Sequence, residues 1–208
     1  MKIITGELSS KKMTKRIKDQ GWGRMFIMMK PAPYEGEPWG FDNGAYRYFS
    51  KGEVLDETTF LKRFEVAHAV GKPYMAILPD IVEGGVASLK YSLEWLEKLP
   101  DWPWYLAVQD GITGYHVEPI IDLVDGIFLG GSTKYKSTAG VWSNFAHHHN
   151  KKFHYGRCGT IRKLQHAMDV GADSIDSAFP LWSVERFERF VHATQHLHEQ
   201  IGLFTNGC

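Results

Sequence analysis

Eight short apolar segments alternate with segments of helical periodicity along most of the chain, and this alternation constrains the fold more than any other feature. The apolar segments predict strands near residues 2–5, 25–29, 38–42, 74–79, 104–109, 126–130, 152–156 and 174–178. Strands that alternate with helices form right-handed βα units and a mainly parallel sheet. The sequence therefore predicts an α/β fold, a compact single-domain (β/α)8 barrel of the TIM type over residues 1–208, near the lower limit of about 200 residues for that fold.

The predicted helices have recognisable caps. Thr160 and Ser183 are predicted N-caps of the last two helices, and Gly171 is predicted to end the first of these. The final helix carries an apolar stripe formed by Phe187, Phe190, Val191, Thr194 and Ile201. The segment PAPYEGEP at 31–38 cannot be helical, so we expect a loop between the second and third strands. An open doubly wound sheet is the alternative architecture, although no GxGxxG or P-loop motif supports it.

Composition excludes several classes of protein. Hydrophobic residues make up 43% of the 208-residue chain, which is too many for a disordered protein, and no apolar run approaches the roughly 18 residues of a membrane span. The two cysteines, Cys158 and Cys208, are too few for a disulfide framework or a four-cysteine metal site. Residues 1–20 contain no apolar stretch of the secretory type. We therefore expect a cytoplasmic protein that has no membrane contact.

The formal net charge of zero arises from cancellation between blocks. Residues 1–30 hold eight Lys and Arg against two acids, whereas residues 31–125 hold seven against sixteen. Residues 126–168 hold seven basic residues, five histidines and no acid. A basic block is either a solvated face or a surface that contacts nucleic-acid phosphate, and the charge alone leaves both interpretations open.

Polar residues stand at the predicted carboxyl ends of the strands, where a parallel barrel places its chemistry. They are Asp42, Asp80, Gln109, Asp110, Gly130, Gly131, Arg157 and Asp176. Some have structural alternatives: Asp42-Asn43-Gly44 resembles a turn, and the glycine pair could serve close packing. Asp176 is the hardest to explain structurally, because aspartate is disfavoured inside a strand such as SIDSAF. Two carboxylates at one mouth suit chemistry at an anomeric carbon, one as nucleophile and one as acid/base.

Five segments in order resemble the tRNA-guanine transglycosylase superfamily. FDNGAY (41–46) is similar to its D-S-G-G-[FY] segment, PDIVEGG (79–85) to its base-binding aspartate segment, and AVQDG (107–111) to its V-Q-G segment. GIFLGGS (126–132) resembles A-I-G-G-L, and residues 154–180 resemble the stretch that carries the family's nucleophile. The resemblance extends over roughly residues 39–180, and the order of the five segments makes it more specific than any one of them.

The resemblance implies a base-exchange reaction and a role for each matching residue. Asp176 would be the nucleophile on C1′ of the nucleotide, Asp42 the general acid/base, and Tyr46 the aromatic residue that stacks on the base. The hydrogen-bonding edge of guanine or a 7-deazaguanine would be bound by Asp80, Gln109, Gly130 and Gly131. Guanine would leave, and a free 7-deazaguanine base would replace it without any cofactor.

The sequence also departs from that family. The structural zinc site needs three cysteines and a histidine after the nucleophile, whereas only Cys208 follows Asp176, so no zinc-binding subdomain and no metal are expected. The absence favours a resemblance to the DpdA-type relatives, which place 7-deazaguanines in DNA and occur in phages, so the cytoplasm could be that of a phage host. DNA is therefore the favoured partner and tRNA the alternative. The basic residues beside the same loops, including Lys134, Lys136 and Arg157, are predicted to contact phosphates.

Other interpretations remain open at this level. A metal site at His147-His148-His149 with His154 is disfavoured because no acidic partner is close in the sequence. The tryptophans at 95, 102, 104 and 142 are better explained by packing than by base stacking. A non-catalytic nucleic-acid-binding subunit and a small-molecule N-glycoside hydrolase are the alternative functions. The sequence does not specify an oligomeric state.

Overall fold

Eight parallel strands close into a barrel in which each strand pairs with the next along the chain and β8 pairs with β1. The computed structural model describes residues 1–8 and 10–205, with side chains through residue 195 except residue 9. The (β/α)8 prediction is confirmed, and the open doubly wound alternative is wrong. The predicted stripe residue Ile201 has its side chain outside this description, and Cys208 lies outside it altogether.

All eight predicted strands are present at or near their predicted positions. They are β1 (Lys2–Gly6), β2 (Gly23–Phe26), β3 (Gly40–Phe41), β4 (Met75–Ile77), β5 (Trp104–Val108), β6 (Gly126–Leu129), β7 (Lys152–Tyr155) and β8 (Ser174–Ser177). The helices are α1 (Lys11–Asp19), α2 (Ala45–Phe49), α3 (Glu57–His68), α4 (Val86–Leu96), α5 (Gly114–Val117), α6 (Ala139–His148), α7 (Ile161–Asp169) and α8 (Val184–Thr205). Short 3-10 helices cover Glu118–Leu123, Tyr135–Thr138 and Phe179–Leu181. Within the described residues no helix has the length and apolar character needed to cross a bilayer.

The strand β2 ends earlier than predicted, and a carboxylate explains why. The N–H groups of Ile27, Met28 and Met29 all donate to Oε2 of Glu7, at 2.8, 2.8 and 2.9 Å. In a strand, successive N–H groups point alternately to the two sides of the strand. The three N–H groups of residues 27–29 all point to one carboxylate oxygen instead, so strand pairing stops at Phe26. The predicted loop between β2 and β3 is confirmed, since residues 27–39 contain neither helix nor strand.

The loop between β2 and β3 is held by a buried ion pair. Arg24 donates from Nε and Nη2 to the two carboxylate oxygens of Glu37, both at 2.7 Å, and also from Nη2 to the carbonyl of Ala32. Glu37 in turn accepts the N–H of Tyr34 at 2.8 Å. These bonds satisfy both charges in a site where the two side chains are almost inaccessible to solvent.

Alternation along the strands separates two apolar clusters. One fills the inside of the barrel and comprises Ile4, Met25, Met75, Ile77, Tyr105 and Ala107, with Phe128 packed against it. The larger cluster lies between the strands and the helices, and it includes the four tryptophans at 95, 102, 104 and 142, which confirms their packing role. By the same alternation His154, Ser174 and Asp176 point inwards: His154 is paired with Ser174 and with Phe128, and Asp176 is paired with Ile4. The barrel therefore carries a polar group inside it at β7 and β8.

The predicted caps of the last helices are confirmed. Thr160 Oγ1 accepts the N–H of Lys163 at 3.2 Å, and Ser183 Oγ accepts that of Arg186 at 3.1 Å. Gly171 follows α7 with φ of 74°, in the left-handed region that ends helices. These caps fix where α7 starts, immediately after the β7 loop that carries Arg157.

Candidate active site

One pocket opens at the carboxyl-terminal mouth of the barrel and collects most of the predicted site residues. Its volume is about 570 Å3, including open solvent. The predicted residues that line it are Asp42, Tyr46, Asp80, Gln109, Gly130, Gly131, Arg157 and Asp176. Several predicted polar groups from different strands therefore converge on one pocket.

Asp176 faces the pocket from β8, and its carboxylate is bound by two donors. Oδ1 lies 3.0 Å from Nε2 of His154 and accepts the backbone N–H of Arg157 at 2.8 Å. Burial alone would raise the pKa of Asp176, but the hydrogen bond from His154, the Arg157 N–H and the charge of Lys136 together lower it below its ordinary value. Asp176 is therefore ionised at neutral pH while 22% of its side chain stays exposed to the pocket.

His154 supports Asp176 from inside the barrel. Its side chain is completely buried, stacks on Phe128 with ring centres 5.0 Å apart, and has Nδ1 2.8 Å from Ser174 Oγ. Burial is the largest effect on the pKa of His154 and lowers it, so the ring is neutral. An ionised Asp176 can only accept, so Nε2 carries the proton and Nδ1 accepts from the Ser174 hydroxyl. The proposed nucleophile is thus oriented by a histidine of defined tautomer.

Asp42 follows β3 and combines a turn with an unusual protonation equilibrium. Its Oδ1 accepts the N–H of Gly44 at 2.6 Å, as in a turn, and its carbonyl accepts from Arg63 Nη2 at 2.7 Å. Burial, opposed by the Gly44 N–H and assisted by the charges of Asp176 and Asp80, raises the pKa of Asp42 to about 6. A carboxyl group with such a pKa can both donate and accept a proton near neutral pH. The turn interpretation is therefore confirmed, and the functional interpretation of Asp42 stays a prediction.

Asp80 is held by a neighbouring amide. Nδ2 of Asn43 donates to Asp80 Oδ1 at 2.7 Å and to the Leu78 carbonyl at 2.6 Å, while Asn43 Oδ1 accepts the N–H of Ala45 at 2.7 Å. Burial raises the pKa of Asp80 to about 6, against the effects of Asn43 and Arg157. Above that pH the carboxylate lines the pocket with lone pairs that can accept from N–H donors.

Gln109 uses half of its side-chain hydrogen-bonding capacity within the protein. Its Nε2 donates to the Ile81 carbonyl at 2.6 Å and its Oε1 accepts the N–H of Glu83 at 2.7 Å. Gln109 therefore fixes the loop after β4, and it has one N–H and one lone pair left for a base in the pocket.

Tyr46 and Arg157 meet across the mouth. The Arg157 guanidinium carbon lies 4.3 Å from the centre of the Tyr46 ring, and its Nη2 donates to the Gly131 carbonyl at 3.0 Å. Arg157 adopts φ of 51°, which a residue with a side chain rarely does and which aims its own N–H at Asp176. A planar base that enters the pocket therefore meets a guanidinium stacked on a phenol.

The two glycines after β6 differ in what they require. At Gly131 φ is 73°, and a Cβ would lie 2.7 Å from Oδ2 of Asp110, so a side chain is excluded there. At Gly130 a Cβ would meet the Val108 carbonyl at 3.4 Å, an ordinary contact. The close-packing interpretation therefore explains Gly131, while Gly130 is open to contact with a ligand.

Lys136, which the sequence predicts to contact phosphate, has a buried side chain. The residue is only 3% exposed, because Nζ donates to the carbonyls of Leu129 and Gly156 and lies 4.7 Å from the centre of the Tyr155 ring. Burial, with the charges of Arg157 and Lys163, lowers the pKa of Lys136 to about 7, although Asp176 opposes this. Lys134 is exposed and lies outside the pocket at the mouth.

The histidine cluster has acidic partners that the sequence analysis did not anticipate. His147 Nε2 lies 2.9 Å from Asp173 and His149 Nε2 lies 3.2 Å from Glu118, whereas His154 is separated from both inside the barrel. No group of three or more metal-ligating side chains occurs among the described residues.

Four residues that build the site were missed as site residues: Asn43, Phe128, His154 and Ser174. A detectable signal existed for two of them, since His154 and Ser174 are polar residues at inward-facing positions of otherwise apolar strands. Comparison of the chain with protein-family models and with curated proteins finds no match. The fold and the site define an α/β barrel with three carboxyl groups at its mouth, and the function has to be argued from that chemistry.

Proposed function

We propose that this chain exchanges guanine in nucleic acid, with DNA favoured, for a 7-deazaguanine base through a covalent aspartyl intermediate. The observation that carries the proposal is the pairing of Asp176 and Asp42 in one pocket, with the pKa of Asp176 lowered and that of Asp42 raised to about 6. Environments that separate the pKa values of two carboxyl groups assign one as nucleophile and the other as acid/base.

The two half-reactions follow from these roles. In the first, the Asp176 carboxylate forms a bond to C1′ while the C1′–N9 bond to guanine breaks, and protonated Asp42 gives its proton to the departing base. In the second, Asp42 takes the N9 proton of the incoming 7-deazaguanine, whose nitrogen displaces Asp176 from C1′. Both residues end in their starting states, so no cofactor is consumed.

Recognition of the base would use the remaining polar groups of the pocket. Ionised Asp80 accepts from the N–H groups of a guanine edge, and the free N–H of Gln109 donates to its carbonyl oxygen. Tyr46 and Arg157 supply the stacking surface. A base can reach this depth only if its nucleotide leaves the helical stack, so a flipped or single-stranded nucleotide is the expected substrate.

The preference for a nucleic-acid substrate rests on the charge beside the pocket. The acid-free block at 126–168 contributes the β6 and β7 loops that border the pocket, which supplies positive charge for phosphates. DNA is favoured over tRNA because of the resemblance to the DpdA-type relatives.

The test is covalent trapping. Protein is incubated with guanine-containing single-stranded DNA, duplex DNA or tRNA, denatured, and resolved for a protein–nucleic-acid adduct, in parallel with incorporation of labelled 7-deazaguanine. We expect an adduct and label incorporation with DNA, both lost in Asp176→Asn. The matched control is Asp169→Asn, on the outer side of α7, which should retain both.

Each alternative predicts a different pattern in the same experiment. Label that enters only tRNA would refute the DNA assignment. Salt-dependent DNA binding with no adduct and no exchange would identify a non-catalytic subunit. Turnover of free nucleosides that is indifferent to salt would identify an N-glycoside hydrolase.

A further inference from the structure

A second pocket lies beside the mouth and is strongly cationic. Its volume is about 540 Å3, including open solvent, and its lining consists of Gly131, Ser132, Thr133, Lys136, Arg157 and Lys163. No acidic side chain lines it, and three of its six residues carry a cationic group.

These three cations have no carboxylate partner among the described residues. No ion pair within 4.0 Å is formed there by Lys136, Arg157 or Lys163. Lys136 and Arg157 donate instead to backbone carbonyls. The charges also act on each other, because Arg157 and Lys163 both oppose protonation of Lys136. Like charges held together without a counterion favour an anion as ligand.

The nearest acids are already occupied. Asp110 accepts from the N–H and the hydroxyl of Ser132, at 2.7 and 2.6 Å, and it does not line the pocket. Asp176 is bound by His154 and by the N–H of Arg157. The charge of Asp176 partly offsets that of Lys136, while Arg157 and Lys163 form no ion pair among the described residues, so the pocket offers positive charge to an anion from outside the chain.

The cationic pocket is continuous with the candidate active site, since Gly131 and Arg157 line both. A ligand that placed a planar base in the candidate active site and an anionic group in the cationic pocket would pass over the Arg157 side chain. Nucleotides have this construction, with a base and a phosphate on opposite sides of one sugar.

We propose that the cationic pocket is a phosphate subsite, which binds a backbone phosphodiester next to the nucleotide whose base occupies the active site. The inference rests on the proposed function, because it takes the ligand to be a nucleic-acid strand. Lys163 and Arg157 bind the non-bridging oxygens, the Thr133 hydroxyl is a further donor, and Lys136 adds charge from beneath.

The experiment measures binding alone. Single-stranded DNA with one abasic tetrahydrofuran residue at the target position serves as the probe, and its dissociation constant is measured by fluorescence anisotropy for wild type, Lys163→Gln and the control Lys90→Gln, an exposed lysine on α4. We expect Lys163→Gln to weaken binding about tenfold, as for one lost hydrogen bond to a charged group. The slope of log K against log salt should also fall by about 0.7. Equal affinities for Lys163→Gln and Lys90→Gln would overturn the proposal.

A neutral linkage identifies the phosphate. A methylphosphonate placed at each linkage flanking the abasic residue in turn should weaken wild-type binding at one position, and Lys163→Gln should show no further loss there. Losses that add at every position would overturn the proposal. Two results together would show that the pocket binds a free phosphate ligand: competition by inorganic phosphate or a 5′-phosphomonoester, and a diester probe whose affinity Lys163→Gln does not change. This outcome would also overturn the proposal.

The outcome is separable from that of the proposed function. If the affinity losses from Lys163→Gln and from the methylphosphonate do not add at one linkage, and no covalent adduct forms, the phosphate subsite is supported and base exchange is refuted. An adduct at Asp176 with additive losses would do the reverse.

Discussion

Because the pKa of Asp42 is raised, its ionised carboxylate lowers the stability of the fold at neutral pH. Its carboxyl group has a pKa of about 6 in the fold against an ordinary value of 3.8, mainly because of burial. In Asp42→Asn the amide oxygen can still accept the Gly44 N–H, so the turn is preserved and only the charge is removed. We therefore expect Asp42→Asn to be more stable than wild type at neutral pH.

The magnitude and its pH dependence follow from the difference in pKa. The pKa of Asp42 is higher in the folded state than in the unfolded state, so this residue does not destabilise the fold below about pH 4. The free energy of unfolding then falls as the pH rises from about 4 to about 6. A difference of about two units corresponds to about 3 kcal/mol at most. Part of the Asp42 side chain contacts solvent, which reduces the gain, so an increase of about 1–3 kcal/mol at pH 7.5 is expected.

Urea unfolding followed by tryptophan fluorescence at pH 4 and pH 7.5 measures the difference. Asp110→Asn is the control with the opposite sign, since hydrogen bonds from Ser132 lower the pKa of that exposed carboxylate and its loss should slightly destabilise the fold at pH 7.5. Asp42→Asn should also abolish base exchange, because an amide cannot transfer the proton. An Asp42→Asn protein no more stable than wild type at pH 7.5, or equally stabilised at both pH values, would refute this account of the site.

Two further predictions concern His154 and the buried ion pair. His154→Phe retains the stack on Phe128 but removes the donor to Asp176, so the pKa of Asp176 should rise. The acidic limb of the pH profile of adduct formation should therefore move to higher pH, and an unchanged limb would contradict the positioning role. Arg24→Met should destabilise the fold by about 3–5 kcal/mol in urea unfolding because it leaves Glu37 buried and unpaired, and Arg24→Met with Glu37→Leu should recover most of that loss. Equal stabilities of the single and double variants would show that the pair acts through packing alone.

The barrel was predictable because its physical cause is local. Strands covered on both faces become short apolar runs, and the helical stripes between them leave few ways to close the sheet. The positions of Asp42, Asp80 and Asp176 followed from the same rule, since the ends of parallel strands meet at one mouth.

Interactions between segments distant in the sequence were not predictable. The carboxylate of Glu7 shortens β2 from twenty residues away, and no local pattern at 25–29 indicates this. Lys136 looks like a surface lysine in the sequence, and its burial depends on carbonyl groups at Leu129 and Gly156. Likewise the partnership of His154 with Asp176 requires the register of β7 against β8.

The wall of the barrel is thin at β3, which pairs with each neighbour through two residues, whereas β5 and β6 pair through four. Backbone amides at such a seam exchange with solvent through local opening that leaves the rest of the fold intact. Asp42 directly follows β3, while Asp176 lies on β8, which pairs through four residues with β1 and through two with β7. Under the proposed function, local opening at β3 would displace the proton carrier more than the nucleophile, because β8 keeps its four-residue pairing with β1.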